Sequence, residues 1–367
     1  MKIGIETNIL SMDKAGAAVY TRELIKHLKL ADNINSYYYL DFGLKIRKGN
    51  LFLSKAENII RDTLWMQFAL GYELKNKKID LLHCPAFKAP LRCPVPLIVT
   101  FYDIHILKNP KDYNPWLRLY CKFMLRKIAA SATRIITISE FSRNDIAETL
   151  SVPKEKIAVT YCGINDKFSV ITDTDLKNEI WKKYKFKKRF ILYVGALQPR
   201  KNIPLLLKAY SELKKNGTFD YELVIAGSTG WRNKNIFVLI EKLGLKNDVM
   251  FLGYVPEDDL PVIYNLAEFF VYPSFFEGFG MPVLEAMACG CPVISSNTSS
   301  LPEVIGEAGI MIDPNNIEDL KDAMIRMTQD HSLKNEMREK GIKRAKLFSW
   351  DKCARETLEV YRKAVNP

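Results

Sequence analysis

The chain has 367 residues, enough for two domains of ordinary size; its 48% hydrophobic and 26% charged content excludes a disordered or fibrous protein. The formal charge of +12, from 54 Lys and Arg against 42 Asp and Glu, favours anionic partners: nucleotide phosphates, nucleic acid or an acidic membrane surface. Seven cysteines, an odd number with no C-x-x-C pair, exclude a disulfide frame or a zinc knuckle. They point to a reducing compartment, with Cys289 and Cys291 as small buried residues. No window approaches the ~20 apolar residues of a spanning helix, and the polar turn after Met1-Lys2-Ile3-Gly4-Ile5 lacks a secretory core. The expectation is a cytoplasmic protein able to lie peripherally on the inner face of a membrane.

Along the chain two kinds of segment alternate. Short β-branched or aromatic runs at 2–6, 97–101, 134–138, 190–194, 222–226, 249–252, 269–272 and 292–295 read as buried strands. Longer amphipathic stretches at 18–30, 115–132, 141–150, 204–215, 235–243 and 317–329 read as helices. That alternation predicts parallel sheets covered by helices on both faces. The pattern restarts at Phe190, after a lysine-rich stretch, so a linker is expected between about 165 and 188. Ligands of such sheets bind beyond the carboxyl ends of the strands, so two such domains facing across a cleft would place the chemistry in their facing loops.

Four stretches carry candidate chemistry. After the first strand, Gly16 stands where the first helix opens and lets the backbone approach a phosphate. After the strand at 97–101, Asp103 is a candidate polar group, with His83 and His105 the titratable neighbours. After the strand at 190–194, Gly195 leads to the pair Arg200-Lys201, just before a helix opened by Pro204; two cations there suit a diphosphate and the charge growing on a leaving phosphate. The fourth runs Phe270-Val-Tyr-Pro-Ser-Phe-Phe-Glu-Gly-Phe-Gly-Met-Pro-Val-Leu-Glu-Ala-Met-Ala-Cys-Gly290. A strand ends near Tyr272, Gly278 and Gly280 free the backbone, and Pro282 opens a helix whose N-terminus favours phosphate. Glu277 lies in that loop and Glu285 is expected in the first turn of the helix, a Glu-x7-Glu spacing; Gly278-Phe-Gly280 is too short for a dinucleotide fingerprint.

Together these stretches resemble glycosyltransferase family 4, the retaining enzymes of GT-B fold. The match is strongest in Glu277-Gly-Phe-Gly-Met-Pro282, Glu285-Ala-Met-Ala-Cys-Gly-Cys-Pro292 and Leu301-Pro-Glu-Val-Ile-Gly306, and extends through Pro199-Arg-Lys-Asn202, Leu252-Gly-Tyr-Val255, Ile138-Ser-Glu-Phe-Ser142 and 16–23. The resemblance implies two Rossmann-like domains. Residues 1–168, with a C-terminal helix at 350–367 crossing back, would take the acceptor, and 169–349 the nucleotide sugar. It implies that Arg200 and Lys201 bind the donor diphosphate, that Glu277 contacts the transferred sugar and that Glu285 holds the ribose diol. Backbone amides of Gly278, Phe279, Gly280, Met281 and Pro282, and those near Ser300 and Leu301, would meet sugar and phosphates. Tyr254 and Val255 would flank the base, and Gly16 would approach the phosphate from the other domain. No metal and no cofactor is expected, Arg, Lys and helix dipoles replacing a cation; the donor would be a GDP- or UDP-linked sugar. Tyr102-Asp103 departs from the His-Asp of many relatives, which bears on donor preference; the Tyr102 hydroxyl remains a hydrogen-bond donor.

The implied function is transfer of a hexose, leaning to mannose or rhamnose, onto a glycan or lipid-linked acceptor in surface polysaccharide or glycolipid assembly. The helix at 115–132, basic and bearing Trp116, Tyr120 and Phe123, buries an apolar face and presents charges suited to an anionic membrane. Two other readings stand beside this one: a sugar-nucleotide epimerase or phosphorylase on the same architecture, and a nucleic-acid-binding protein, for which the sequence has no recognition motif.

Overall fold

The computed structural model describes residues 1–11, 16–43, 60–215, 217, 219–228 and 234–366. The chain divides into two compact units, Met1–Gly163 with Trp350–Pro367, and Ile164–Ser349. The division falls at 163/164 rather than the expected 168/169.

The first unit is built on six parallel strands: β1 (Lys2–Glu6), β2 (Ser36–Leu40), β3 (Leu81–Cys84), β4 (Leu97–Thr100), β5 (Arg134–Thr137) and β6 (Ile157–Val159). Their order is β2-β1-β3-β4-β5-β6. Every residue of β3 and β4 is buried, as strands covered on both faces require. Helix α1 (Gly16–Ala31) follows β1. A π-helical stretch, Ile60–Ala69, continues as α2 (Leu70–Asn76), and α3 (Pro115–Ser131) follows β4. Asn114 starts α3 by accepting from the Leu117 amide, with Pro115 in the first turn, where its missing N–H costs nothing. The C-terminal helix, Trp350–Val365, packs on α1.

The second unit repeats the plan with β7 (Phe190–Val194), β8 (Glu222–Ala226), β9 (Val249–Gly253), β10 (Phe269–Tyr272), β11 (Val293–Ser296) and β12 (Gly309–Ile312), all parallel. The order β12-β11-β10-β7-β8-β9 means that the chain steps outward from β7 to β9, then returns to lay β10 beside β7. The direction reverses between β7 and β10, and the loops leaving those two strands diverge to open a crevice, the usual ligand position in such sheets.

The lysine-rich stretch expected as a linker is folded. Asp173 caps a helix, α4 (Thr174–Tyr184), by accepting from the Leu176 amide, and Lys185 ends it in the left-handed conformation at φ 57°. Ile180 is buried, and Trp181 and Phe186 pack against Phe190 at the start of β7. Lys183 and Tyr184 both bond Asp259, at 2.7 and 2.5 Å. The apolar residues at helical spacing outweigh the lysines, which stand on the solvent side.

None of the seven cysteines is paired; Cys289 and Cys291 are buried. Among the described residues no helix is long and apolar enough to cross a membrane.

The C-terminal helix is keyed to the first sheet by a buried histidine. His83 Nδ1 lies 2.7 Å from the Tyr361 hydroxyl and Nε2 lies 2.9 Å from Thr100 Oγ1. Burial pushes the imidazole down to about 3, so the ring is neutral, one nitrogen donating and the other accepting. Tyr361→Phe leaves one ring nitrogen unpartnered in the core. It is expected to cost about 1–3 kcal/mol, read as a lowered urea midpoint of the first unit's transition.

Candidate active site

The crevice of the second sheet is lined by the loop after β7, carrying Gly195, Arg200 and Lys201, and the loop after β10, carrying Glu277. Strand order brings together residues that are 77 positions apart in the chain. A backbone bond from the Phe275 amide to the Arg200 carbonyl, 2.8 Å, ties the two loops.

Glu277 is buried at 6% exposure and its two oxygens are divided between two cations. Lys201 Nζ donates to Oε1 at 2.6 Å, and the Arg200 guanidinium donates to Oε2 at 3.0 Å. Lys201 Nζ also donates to the Tyr272 hydroxyl at 2.5 Å, and Arg200 donates to the Gln198 side chain at 3.1 Å and to the Phe276 carbonyl at 3.0 Å. Burial by itself would raise the Glu277 carboxyl, but the Arg200 and Lys201 charges outweigh it and hold the carboxyl at about 2. One anion fixes two cations, which leaves one positive charge in excess. The Arg200 side chain keeps 22% of its surface open to solvent. Such an arrangement suits a phosphate ester, whose oxygens take charge-assisted bonds from both cations.

Glycines bring the backbone close. Gly195 has φ 154° and Gly227 φ 137°, and a Cβ on Gly227 would sit 2.3 Å from the Gly195 carbonyl oxygen. Only glycine lets these two strand ends meet. Gly280, at φ 111°, stands at the N-cap of α5 (Met281–Ala288), where no side chain caps the helix. The Val283 amide already bonds the Gly280 carbonyl at 2.9 Å, so the helix start turns the Gly280 and Met281 amides and its positive dipole end toward an anion. Pro282 has no N–H and belongs to the site only by shaping the helix start, a correction to its expected amide contact. The loop is braced from behind: the Glu277 amide donates to Ser299 Oγ at 3.0 Å, and Ser300 Oγ lies 2.9 Å from the Glu277 and Phe279 carbonyls. Ser300 and Leu301, where α6 (Leu301–Ile305) begins, are fully buried. They support the loop, and the Ser300 hydroxyl is engaged with protein.

Glu285 is the fifth residue of α5, which has no acidic residue in its first turn. Glu285 is expected in the first turn of a helix opened by Pro282; the helix begins at Met281, one residue earlier, which leaves Glu285 just past that turn. Tyr264 donates to Glu285 Oε2 at 3.0 Å. Burial dominates and pushes the carboxyl up to about 7, against the lowering effect of Tyr264 and Lys167. Tyr254 follows the edge strand β9 and is 51% exposed, whereas Val255 is 7% exposed and turned into the fold.

Gly16 and Asp103 belong to the first unit. Gly16 opens α1, and among the described residues no atom beyond its own helix and chain neighbours lies within 4 Å of a would-be Cβ. Asp103 Oδ1 accepts from the His105 amide at 3.0 Å. The Tyr102 hydroxyl, expected as a donor to ligand, is committed to the Pro85 carbonyl at 2.5 Å. Burial pushes that phenol well above its usual range. His83 is structural, as described above.

Sequence reasoning did not single out Tyr272, Tyr264, Ser299 or Gly227. Gly227 had a signal, since it follows a buried strand in Ala226-Gly227-Ser228, the same setting as Gly195. Tyr272 reads as the apolar end of a strand and Tyr264 lies in none of the segments singled out, so only the fold shows what their hydroxyls meet.

Two family models match nearly the whole chain: glycosyltransferase family 4 over residues 15–168 and glycosyl transferases group 1 over 176–344. An O-antigen chain mannosyltransferase B of Escherichia coli is 33% identical over 99% of this chain and 100% of its own. Among solved structures, a sucrose-phosphate synthase from Thermosynechococcus elongatus superposes with a TM-score of 0.78 at 20% identity, covering 99% of this chain and 98% of its own. Anabaena HepE, solved with UDP and glucose, gives 0.75 at 17% identity, over 99% of this chain and 100% of its own. The chain belongs to glycosyltransferase family 4 and has the GT-B fold; it is a glycosyltransferase that uses a nucleotide-sugar donor.

Two outcomes are expected from this geometry. Glu277→Leu removes the one carboxylate shared by the buried Lys201 and the partly buried Arg200 and should cost about 3–5 kcal/mol, whereas the double variant Glu277→Leu/Lys201→Met should lose less, in urea unfolding. For Glu285, the folded carboxyl titrates higher than the unfolded one, so its protonation favours folding at low pH and that contribution is lost as pH rises through about 7. Glu285→Gln should therefore melt higher than wild type at pH 8 without ligand and alongside it at pH 5. Parallel curves at both pH values would show that Glu285 is not the titrating group.

Proposed function

We propose that this family 4 glycosyltransferase moves a hexose, mannose in the first instance, from a GDP- or UDP-linked donor to a glycan or lipid-linked acceptor in surface polysaccharide assembly. The observation that carries the reading is the Arg200–Lys201–Glu277 cluster at the reversal point of the second sheet. Likeness to an O-antigen mannosyltransferase over the full chain supports mannose and polysaccharide over other sugars and products.

In this reading the second unit takes the donor and the first takes the acceptor. Arg200 and Lys201 hold the diphosphate, with the open N-terminus of α5 and the amides of Gly278 to Met281 beside it. Glu285 accepts from the ribose diol, while Tyr254 and Val255 flank the base. Glu277 has a double role: its carboxylate orients both cations, and its edge is available to sugar hydroxyls. As the bond from the sugar C1 to the phosphate oxygen breaks, negative charge grows on the leaving diphosphate, and the two cations and the helix end stabilise it. The acceptor oxygen bonds to C1 on the face the diphosphate leaves, and its proton passes to a phosphate oxygen of the leaving group, so the anomeric configuration is retained. The charge supplied by Arg200 and Lys201 makes a divalent cation unnecessary. Asp103 and Gly16 act from the acceptor unit. The acceptor is met at the inner face of the membrane.

The test is transfer from GDP-mannose, UDP-glucose and UDP-galactose to a polyprenyl-diphosphate-linked glycan in EDTA, with the product's anomeric configuration read by NMR. The expected product is an α-linked hexose, and Arg200→Ala is expected to lower kcat/KM by about 100-fold or more. Activity abolished by EDTA, an inverted product, or sugar released only as a sugar phosphate in the presence of inorganic phosphate would overturn it; the last is the mark of a phosphorylase.

A further inference from the structure

Among the described residues, two helical segments of the first unit share a core and turn exposed apolar side chains outward. Trp65, Met66, Leu70 and Leu74 of the first segment and Cys121, Leu125 and Ile128 of α3 enter one hydrophobic cluster with β3 and β4. On the opposite side of the first segment Leu64, Phe68 and Tyr72 are 56%, 72% and 71% exposed. Their spacing of four residues sets them in one row. On α3, Trp116, Leu119 and Phe123 are 77%, 51% and 56% exposed, at spacings of three and four that again define one face.

The chain between β3 and β4 joins the two rows. Gln67 of the first segment donates to the Ala89 carbonyl at 3.2 Å and accepts from the Leu91 amide at 2.9 Å. At the other side Lys88 Nζ stands 6.0 Å from the Tyr120 ring centroid of α3. The six exposed side chains thus flank a single platform. Scattered exposed leucines are ordinary, but six large apolar side chains on two helical segments that hold one connection between them are more than scatter.

Charge identifies the partner. α3 carries Arg118, Lys122, Arg126 and Lys127, all exposed, and no acidic residue. A second copy meeting this face about a two-fold axis would oppose these cations to themselves. A bilayer with acidic headgroups attracts them, and its interface accommodates Trp, Tyr and Phe side chains.

We infer that the exposed row of Leu64, Phe68 and Tyr72 and the Trp116, Leu119 and Phe123 face of α3 form one docking surface for an anionic lipid bilayer. The apolar side chains enter the boundary between headgroups and acyl chains while the α3 cations bind acidic headgroups. This deepens the proposed reaction at a membrane-bound acceptor and rests on it for its purpose. Vesicle binding is measured without donor or acceptor, so the two fail independently: binding without transfer leaves the docking surface standing, and transfer without binding leaves the reaction standing.

The experiment is co-flotation of the full chain with vesicles of phosphatidylglycerol and phosphatidylethanolamine, against phosphatidylcholine alone. Wild type is expected to float with the anionic vesicles only, and less as salt is raised. Trp116→Ser/Phe123→Ser, Phe68→Ser/Tyr72→Ser and Arg118→Glu/Lys122→Glu are each expected to weaken binding by about tenfold or more. Their circular dichroism spectra and melting temperatures should stay at the wild-type values, since every altered side chain is exposed. Binding of the variants equal to wild type, equal binding to neutral vesicles, or a wild-type dimer in sedimentation that the variants convert to monomer would overturn the inference.

Discussion

A carboxylate buried between two cations is the constraint on which the second unit depends. Glu277 has its oxygens 2.6 Å from Lys201 Nζ and 3.0 Å from the Arg200 guanidinium, at the point where strand order reverses. Removing a charged group from water is costly, and the cost is tolerable here because each charge has a partner. The same pairing explains why Arg200 and Lys201 are held in place before any ligand arrives. Fixed cations lose little freedom on meeting a diphosphate and need no rearrangement when charge develops on it. The glycines, the Ser299 and Ser300 braces and the Tyr272 hydroxyl all serve to keep the two loops at the distance this cluster requires.

The surrounding architecture follows from ordinary folding rules applied twice. Each unit alternates strand and helix, each sheet is parallel, and each has a reversal point near its first strand. The two sheets differ in order, with three strands on each side of the reversal in the second and two against four in the first. In the first unit, polar groups near the strand ends are mostly committed to the protein itself. The Tyr102 hydroxyl bonds the Pro85 carbonyl, and Asp103 accepts from the His105 amide.

Much of this was legible in the sequence. The strands at 190–194, 222–226 and 269–272 were readable because a strand buried on both faces is a continuous apolar run. The strands Ser36–Leu40 and Ile157–Val159 escaped because they lie at sheet edges, where side chains are half in water and runs are short. The stretch 165–188 reads as a linker because its lysines mask the apolar Leu176, Ile180 and Tyr184 at four-residue spacing on a capped helix, with Phe186 packed just beyond its end. Arg200, Lys201 and Glu277 stood out as charges next to glycines and helix starts, but sequence spacing gave no sign that they form one ion cluster. That contact depends on the placement of β10 beside β7, a pairing across more than seventy residues. Glu285 was found, while its raised carboxyl depends on burial beside Tyr264, which only packing reveals.

The central claim is that Arg200 and Lys201, held by Glu277, bind the diphosphate of the donor without help from a divalent cation. Calorimetric titration in EDTA with GDP, UDP, ADP and dTDP, for wild type and Arg200→Ala/Lys201→Ala, tests it directly. The account predicts that one nucleoside diphosphate binds the wild type and binds the folded double variant about 100-fold or more weakly, as loss of two charge-assisted contacts requires. Equal affinity in the two proteins, or binding that appears only when magnesium or manganese is added, would contradict it.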